Sequence, residues 1–272
     1  TRVNVELGVG EKFVSITAGD GYSMALTNKG NVYAWGDNTH GQLGLGDETE
    51  VATPKKLAIA NVRQISAGED YTLFLQMNGT VYATGNYEHN KLGIYNLSAD
   101  LRTPTRIPSF LGASVVAVSA GTNHSLALYY TTNAASFGDN SYGQLGNGTT
   151  EDSAYPVKVL AGRSGTNAYD PDNNDYYLND IVSISAGKSF AMALKNDGTV
   201  YTWGDNSKGQ LGDGTRVNKP TPIQVLRGES PEEEENVAPA GSDYLINIVM
   251  ISAGANHALA LTKTGYVWAW GD

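Results

Sequence analysis

Apolar and polar residues alternate with a period of two in short runs along the whole chain. In "YSMALT", residues 22–27, the large apolar side chains recur at every second position, which is typical of a strand with one buried face. "VYAWG", residues 32–36, is rich in β-branched and aromatic residues, and "NKGN" between the two runs supplies the glycine that a tight hairpin requires. Because no segment carries a sustained helical period, the pattern predicts short antiparallel strands and almost no helix.

The same set of runs occurs five times. Segments similar to "ISAGKSFAMALKNDGTVYTWGDN" begin at Ile16, Ile65, Val118, Ile184 and Ile251. A glycine-rich loop follows, as "GQLG" at 41–44, 143–146 and 209–212 and as "NKLG" at 90–93, and a proline then opens a further strand-like piece at Pro54, Pro104, Pro156 and Pro222. Each repeat is therefore interpreted as four strands, A to D, with strand D starting at the proline.

The combined motif "SAGxxHSLAL…GxVYAWGxNxxGQLG" resembles the repeat of the regulator-of-chromosome-condensation family over almost the whole chain. The resemblance implies an all-β fold, a β-propeller of four-stranded antiparallel blades, usually seven in number. The period alone indicates the same architecture, since a four-stranded unit cannot bury both of its faces unless neighbouring units stack around a ring.

The two ends of the chain are complementary. "TRVNV" at residues 1–5 aligns with "TPKKL" at 53–57 and predicts a D strand, whereas the chain ends just after a C strand at Gly271 and Asp272. We therefore expect one domain over residues 1–272, a five-bladed ring closed by the N-terminal strand, which completes the last blade. The alternative is an excised fragment of a seven-bladed propeller.

Charge and composition narrow the class of partner. The chain has 18 basic and 28 acidic residues, a net charge of -10, and no cysteine. A strongly acidic chain without a basic cluster is a poor ligand for nucleic acid or anionic membrane, so we expect neither. The lack of cysteine excludes disulfides and thiolate zinc sites. No run of eighteen apolar residues is present, so membrane insertion is not expected.

Two aromatic positions recur in every repeat. The position after "AGxx" holds Tyr22, Tyr71, His124, Phe190 and His257, and the end of strand C holds Trp35, Thr84, Phe137, Trp203 and Trp270. A general base or a metal ligand could not be replaced by Phe, so the first position is predicted to hold a packed ring that hydrogen-bonds where it can. Thr84 marks a gap or a different packing. The isolated histidines of the C–D loops, His40 and His89, are expected to be exposed.

No motif indicates catalysis or a cofactor, because the chain lacks a P-loop, a "GxSxG" elbow and zinc-type histidine pairs. The chain is therefore predicted not to be an enzyme. In a propeller the C–D loops share one face, which is where binding residues usually lie. The candidate binding residues there are Asp37, Asn38, His40, Tyr87, Asp139, Asn140, Tyr142, Asp205, Asn206 and Lys208.

Two insertions, residues 161–180 and 227–247, fall between a D strand and the next A strand and are expected on the opposite face. In the first, Asp170, Asp172, Asn174 and Asp175 resemble the start of a calcium loop, but the expected glycine and glutamate are missing. Calcium is thus a weak candidate, and no other cofactor is expected. The second contains Glu232, Glu233, Glu234 and Glu235, which indicate a solvated loop or a docking segment for a basic partner.

These features favour a non-enzymatic protein-binding or scaffold module, part of a larger exported or surface bacterial protein. Family members bind proteins through propeller faces, and this function is an analogy to them. One alternative is guanine-nucleotide exchange on a small GTPase, as the founding member of the family performs. The other is a glycan-acting enzyme or lectin. The expected location is extracellular or at the cell surface, with the cytoplasm as the alternative.

Overall fold

The computed structural model describes residues 5–110, 114–162, 176–228 and 243–272. Within these ranges the strands form five antiparallel sheets, four with four strands and one with three. The first sheet contains β1 (Phe13–Ala18), β2 (Tyr22–Thr27), β3 (Val32–Gly36) and β4 (Val51–Lys56), and the second contains β5 (Val62–Ala67), β6 (Tyr71–Gln76), β7 (Val81–Gly85) and β8 (Leu101–Arg106). The third contains β9 (Val115–Ala120), β10 (His124–Tyr129), β11 (Ala134–Gly138) and β12 (Ser153–Lys158). The fourth contains β13 (Ile181–Ala186), β14 (Phe190–Lys195), β15 (Val200–Gly204) and β16 (Lys219–Gln224), and the fifth contains β17 (Ile248–Ala253), β18 (His257–Thr262) and β19 (Val267–Gly271).

The predicted all-β blades are confirmed, and so is the near absence of helix in the described ranges. Two single 3₁₀ turns lie wholly within the described ranges, Glu88–Asn90 and Pro108–Phe110. None of the helices in this part of the chain is long and apolar enough to cross a membrane. The strands of each sheet follow one another in chain order, so the A–B and C–D loops share one face and the B–C turns and D–A connections share the other.

The start of strand D differs from the prediction. β4 begins at Val51, and Pro54 is its fourth residue rather than its first, as are the equivalent prolines of β8, β12 and β16. β4 pairs only with β3, and the pairing is irregular between Gly36 and Ala34. An edge strand leaves one row of backbone groups unpaired, so a proline within it removes no necessary hydrogen bond.

The glycine that ends each C strand is required by the backbone. Gly36 has a φ of 104°, and a Cβ placed there would lie 2.3 Å from the carbonyl oxygen of Gly21. The equivalent Gly138 has a φ of 111°, with Asn123 O at 2.4 Å. Only glycine permits both the positive φ and the close approach of the A–B loop. The same loop carbonyl accepts a hydrogen bond from the amide that follows the glycine, as Gly21 O does from Asp37 and Asn123 O does from Asp139.

Neighbouring sheets meet face to face, with their A strands side by side. We call the boundary between two consecutive sheets a seam. The same kind of hydrogen bond crosses each seam: the Ala67 amide donates to Thr17 Oγ1, and the amides of the equivalent alanines donate to the hydroxyls of Ser66, Ser119 and Ser185. The core therefore lies between sheets. One apolar cluster joins Met24 and Leu43 of the first repeat to Ile65 and Phe74 of the second.

The predicted closing strand lies almost entirely outside the described residues, and the described residues by themselves do not form a closed ring. The fifth sheet has three strands, Val5 lies outside any strand, and residues 1–4 are outside the described ranges. Ile16 is 80% exposed, whereas its equivalents Ile65 and Ile251 are buried against the preceding sheet. Leu259 of the fifth sheet is 38% exposed although the equivalent Met24 is fully buried. The first and fifth sheets do not cover each other, so the five sheets form an open arc.

Both insertions leave the D–A side, as predicted, and each is closed at its base by an antiparallel bridge. Leu160 pairs with Tyr177, and Leu226 pairs with Tyr244. The calcium candidates Asp170, Asp172, Asn174 and Asp175 and the glutamates Glu232–Glu235 lie outside the described residues.

Candidate functional site on the C–D loop face

The C–D loops are braced by buried polar side chains. In the first loop Asn38 Oδ1 accepts the Leu43 amide at 3.0 Å, Asn38 Nδ2 donates to Asp47 O, and Gln42 Nε2 donates to Asp37 Oδ2 at 2.7 Å. The same set recurs with Asp139, Asn140 and Gln144, and with Asp205, Asn206 and Gln210. A buried leucine follows the glutamine in each loop. These loops are rigid because nearly every polar group inside them is satisfied.

The bracing residues are not surface contacts, which corrects part of the sequence-based site. Asn38, Asn140 and Asn206 are completely buried, and Asp139 and Asp205 are each 8% exposed. Hydrogen bonds from Ser141, aided by nearby imidazoles, lower the pKa of Asp139 although burial acts to raise it. Among the candidates, Tyr142 and Lys208 are exposed, while Asp37, His40 and Tyr87 are half-buried.

The second loop uses a different set of residues. Lys91 replaces the glutamine, Asn86 replaces the aspartate, and Asp70 occupies a position that is Gly21 or Asn123 in the neighbouring sheets. Lys91 Nζ lies 2.8 Å from Asp70 Oδ1 and donates to Asn123 Oδ1, while Asn86 Nδ2 donates to Asp70 Oδ2. The Lys91 side chain is 2% exposed. The three substitutions together keep the loop braced through an ion pair.

The ring position after "AGxx" is a packing position, and its two tyrosines also form hydrogen bonds, whereas both ring nitrogens of the buried His124 lack a partner among the described residues. The Tyr22 hydroxyl donates to Tyr71 O, and the Tyr71 hydroxyl donates to His124 O at 2.7 Å, so each ring reaches the equivalent backbone of the next sheet. Burial lowers the pKa of His124 to about 4, and the Asp139 charge and the Phe190 backbone offset that effect only in part. His124 is thus a neutral core ring. His257, at the open end of the arc, is exposed.

The end of strand C also behaves as a packing position. Trp203 Nε1 donates to Gln144 O, and Trp270 Nε1 donates to Gln210 O, both at 2.9 Å and both across a seam. Thr84 leaves no gap: it is fully buried, and its hydroxyl donates to Gly41 O at 3.0 Å and to Leu101 O. The threonine hydroxyl thus replaces the indole N–H as the donor across the seam.

Contacts between consecutive loops were not apparent from the sequence. His40 Nδ1 lies 2.8 Å from Asp100 Oδ2 of the next repeat, and Lys208 Nζ lies 3.8 Å from Asp272 Oδ2. The third contact joins His89, Asp139 and Asp152, whose ligand atoms all lie within 4.8 Å of one another. His89 is exposed, as expected, but it is not isolated. Partial burial and the Asp139 carboxylate raise the pKa of Asp152.

One signal in the sequence could have indicated these contacts. His40, His89, Tyr142 and Lys208 all stand three residues before the buried leucine of their loops, so they share one position in four repeats. Their partners lie in the following repeat, which only the stacking of the sheets brings near.

Comparison with known proteins identifies the family of the repeats. The chain matches the regulator of chromosome condensation (RCC1) repeat at residues 29–75, 78–128, 136–194 and 197–261. It is 31% identical to the ultraviolet-B receptor UVR8 of Arabidopsis thaliana over 264 residues, which cover 96% of this chain and 53% of the receptor. The chain thus spans about half the length of that relative.

Solved structures show the same fold. Human WBSCR16 superposes with a TM-score of 0.76 at 23% identity, covering 96% of this chain and 62% of that one. Prp20p from Saccharomyces cerevisiae superposes with a TM-score of 0.71 at 26% identity, covering 96% and 57%. The repeats, the sheet order and these matches agree, and the chain belongs to the regulator of chromosome condensation (RCC1) repeat family.

Proposed function

We propose that the chain is a non-enzymatic protein-binding propeller module whose partner docks on the C–D loop face. The observation that carries this proposal is the contrast between fixed loop interiors and variable loop tips. Three of the interiors repeat Asp, Asn and Gln with the same hydrogen bonds, while their tips change from Thr39 and His40 to Ser141 and Tyr142 and then to Ser207 and Lys208. Varied side chains on a rigid scaffold are typical of recognition surfaces.

Two grooves between the sheets offer little for catalysis, whereas a more open depression of about 590 Å³ contains Glu48, Asp100 and Arg102, of which Arg102 pairs with Glu48 and Asp100 with His40. The groove of about 550 Å³ near Gly44 and Pro104 is lined mainly by aliphatic and backbone groups, with Lys56 as its one charged side chain. A similar groove near Pro222 has Asp213 as its one charged side chain. Catalytic sites usually bring several titratable groups together in a cavity, and neither of these grooves does so.

The relatives support a protein partner. Prp20p was solved together with an analysis of its binding to Gsp1p and histones, and yeast RCC1 was solved bound to Kap60. Because the chain covers only about half of such proteins, their partners are not carried over to it. The net charge of -10 favours a partner with a basic surface rather than nucleic acid.

Site-specific photo-crosslinking tests the proposal. Tyr142 lies on the C–D loop face and is 43% exposed, and Tyr130 lies in the B–C turn of the same sheet and is 78% exposed. Each is replaced in turn by benzoyl-phenylalanine, and captured proteins are purified and tested for direct binding. We expect a partner that crosslinks from position 142 but not from 130 and that binds Tyr142→Ala at least ~10-fold more weakly.

Two results would contradict the proposal. Crosslinking of the purified partner only from position 130 would move the interface to the opposite face. Accelerated nucleotide release from a small GTPase, abolished by loop-tip variants, would instead support nucleotide exchange. The extracellular location expected from the sequence stays a prediction, which fractionation of the producing cells can test.

A further inference from the structure

Each seam between consecutive sheets brings one loop-tip side chain toward two positions of the next loop. The tip position is three residues before the buried leucine. The first facing position is the residue directly after the C-strand glycine. The second facing position is a later residue of the loop whose side chain accepts a hydrogen bond from the backbone amide next to the first. Asp152 Oδ1 accepts from the Asn140 amide in this way, and Asn218 Oδ1 accepts from the Asn206 amide. The seams can therefore be compared residue by residue.

Three of the seams contain at most one carboxylate in the facing positions that the structure describes. At the seam of the first and second sheets His40 faces Asn86 and Asp100, and its ring pairs with the one acid. At the seam of the third and fourth sheets Tyr142 corresponds to Asp205 and Asn218. At the seam of the fourth and fifth sheets the ammonium group of Lys208 lies against Asp272. In that last seam the chain itself supplies a cation at the tip position.

The seam of the second and third sheets differs because both facing positions are acidic. Asp139 and Asp152 converge on the single imidazole of His89, and their ligand atoms lie within 4.8 Å of one another. Neither carboxylate forms an ion pair with a lysine or arginine among the described residues. Asp139 is fixed, since its carboxylate accepts hydrogen bonds from Ser141 and from Gln144 Nε2 at 2.8 Å. Two carboxylates and one imidazole therefore face each other with less positive charge than the Lys208 seam has.

We propose that His89, Asp139 and Asp152 bind one divalent transition-metal ion, with Zn²⁺ as the physiological candidate, across the seam of the second and third sheets. Imidazole nitrogen with carboxylate oxygen is a donor set that Zn²⁺ accepts, whereas Ca²⁺ takes oxygen ligands. Zinc bonds of about 2.0–2.2 Å require the three donors to converge, and rotation of the exposed His89 side chain provides most of the movement, because Asp152 Oδ1 is held by the Asn140 amide. Three protein ligands leave the remaining coordination positions to water.

The ion would add to the contacts that already join the second and third sheets, which include the Lys91–Asn123 and Tyr71–His124 hydrogen bonds. His89 belongs to the second repeat, and both aspartates belong to the third. A ligand that binds only the folded chain raises the stability of that chain as the ligand concentration increases. The ion would therefore link the second and third sheets reversibly. The proposal is independent of protein binding at the loop tips.

Calorimetric titration of the full chain with ZnCl₂ at pH 7 tests the site, with CaCl₂ as the second cation. We expect one Zn²⁺ per chain and a rise in melting temperature with added Zn²⁺. His89→Ala and Asp152→Asn should each weaken Zn²⁺ binding by more than the ~10–100-fold that outer partners of a metal cost. His40→Ala is the matched control, because it removes the same tip residue from a seam with one acid, and it should leave the affinity unchanged.

Three outcomes overturn the proposal. The first is the absence of Zn²⁺ binding by the folded chain, and the second is a loss of affinity in His40→Ala equal to that in His89→Ala. The third is Zn²⁺ binding that neither His89→Ala nor Asp152→Asn changes, which would assign the ion to other acidic groups. Both variants alter exposed side chains, so they should fold normally. Circular dichroism verifies their folding before titration.

Discussion

Replacement of Lys91 by methionine tests whether the buried ion pair of the second loop stabilises the fold. Methionine keeps most of the side-chain volume and removes the charge, so the main loss is the contact of Nζ with Asp70 at 2.8 Å and the bond to Asn123. Removal of one partner from a buried pair costs about 3–5 kcal/mol. Asp70 is 21% exposed and keeps the Asn86 hydrogen bond, so we reduce the expected cost to about 2–3 kcal/mol.

Thermal unfolding followed by circular dichroism measures this cost. For a chain of this size about 1 kcal/mol corresponds to roughly 2–4 °C, so Lys91→Met should lower the melting temperature by about 4–12 °C. The control is a triple variant, Asp70→Asn with Asn86→Asp and Lys91→Gln, which copies the set that Asn123, Asp139 and Gln144 form in the next sheet. It should melt within about 3 °C of the unchanged protein, because the introduced Asp and Gln can form the bond that Gln144 Nε2 donates to Asp139 Oδ2 in the next sheet.

Either of two results would refute this reasoning. A Lys91→Met variant within about 0.5 kcal/mol of the unchanged protein would mean that the pair contributes nothing after desolvation. A triple variant as unstable as Lys91→Met would mean that the repeat positions are not interchangeable. Urea unfolding should give the same order, and an altered slope against denaturant would indicate a change in the extent of unfolding instead.

Three further substitutions test the packing positions. Thr84→Val should lower stability by about 1–2 kcal/mol in urea unfolding, since it removes the donor that Gly41 O uses across the seam. Gly36→Ala should lower the melting temperature strongly or prevent folding, because its Cβ would lie 2.3 Å from a carbonyl oxygen, whereas Gly265→Ala, which shares a positive φ of 94° but stands in open space, should cost only the backbone strain. His124 has a pKa lowered to about 4, so the unfolded state binds a proton more readily, and this residue removes stability as the pH falls from about 6.5 toward 4. His124→Phe should make unfolding less sensitive to pH in that window.

The sequence predicted the inner strands closely because one local rule decides each of them. "YSMALT" and "VYAWG" coincide with β2 and β3, since period-two alternation and the hairpin glycine fix both ends of each strand. The start of strand D was placed too late at Pro54, because the usual preference of proline for a strand end does not hold for an edge strand. Local rules give the elements but not how far an edge strand extends.

Features that depend on two repeats at once were not accessible to such rules. The burial of Asn38 follows from the folding of its loop, and its hydrophilic character gave the opposite expectation. The exposure of Ile16 depends on how the five sheets are placed relative to one another, which no local pattern encodes. The cluster of His89 with Asp139 and Asp152 was missed for the same reason, since each residue alone is an ordinary loop residue.

The seams explain how nearly identical repeats acquire different properties. Among the described residues the main contacts of each sheet are with its neighbours, so a seam can change its polar contacts without disturbing the next one. The apolar positions and the A-strand hydrogen bonds stay constant, while the tip contacts change from an imidazole–carboxylate pair at His40 to an ammonium–carboxylate pair at Lys208. Because the loop interiors are fixed, each tip substitution changes the chemistry at a known place. The proposed functions therefore depend on the tips and seams, and the repeated glycines, leucines and rings hold these in position.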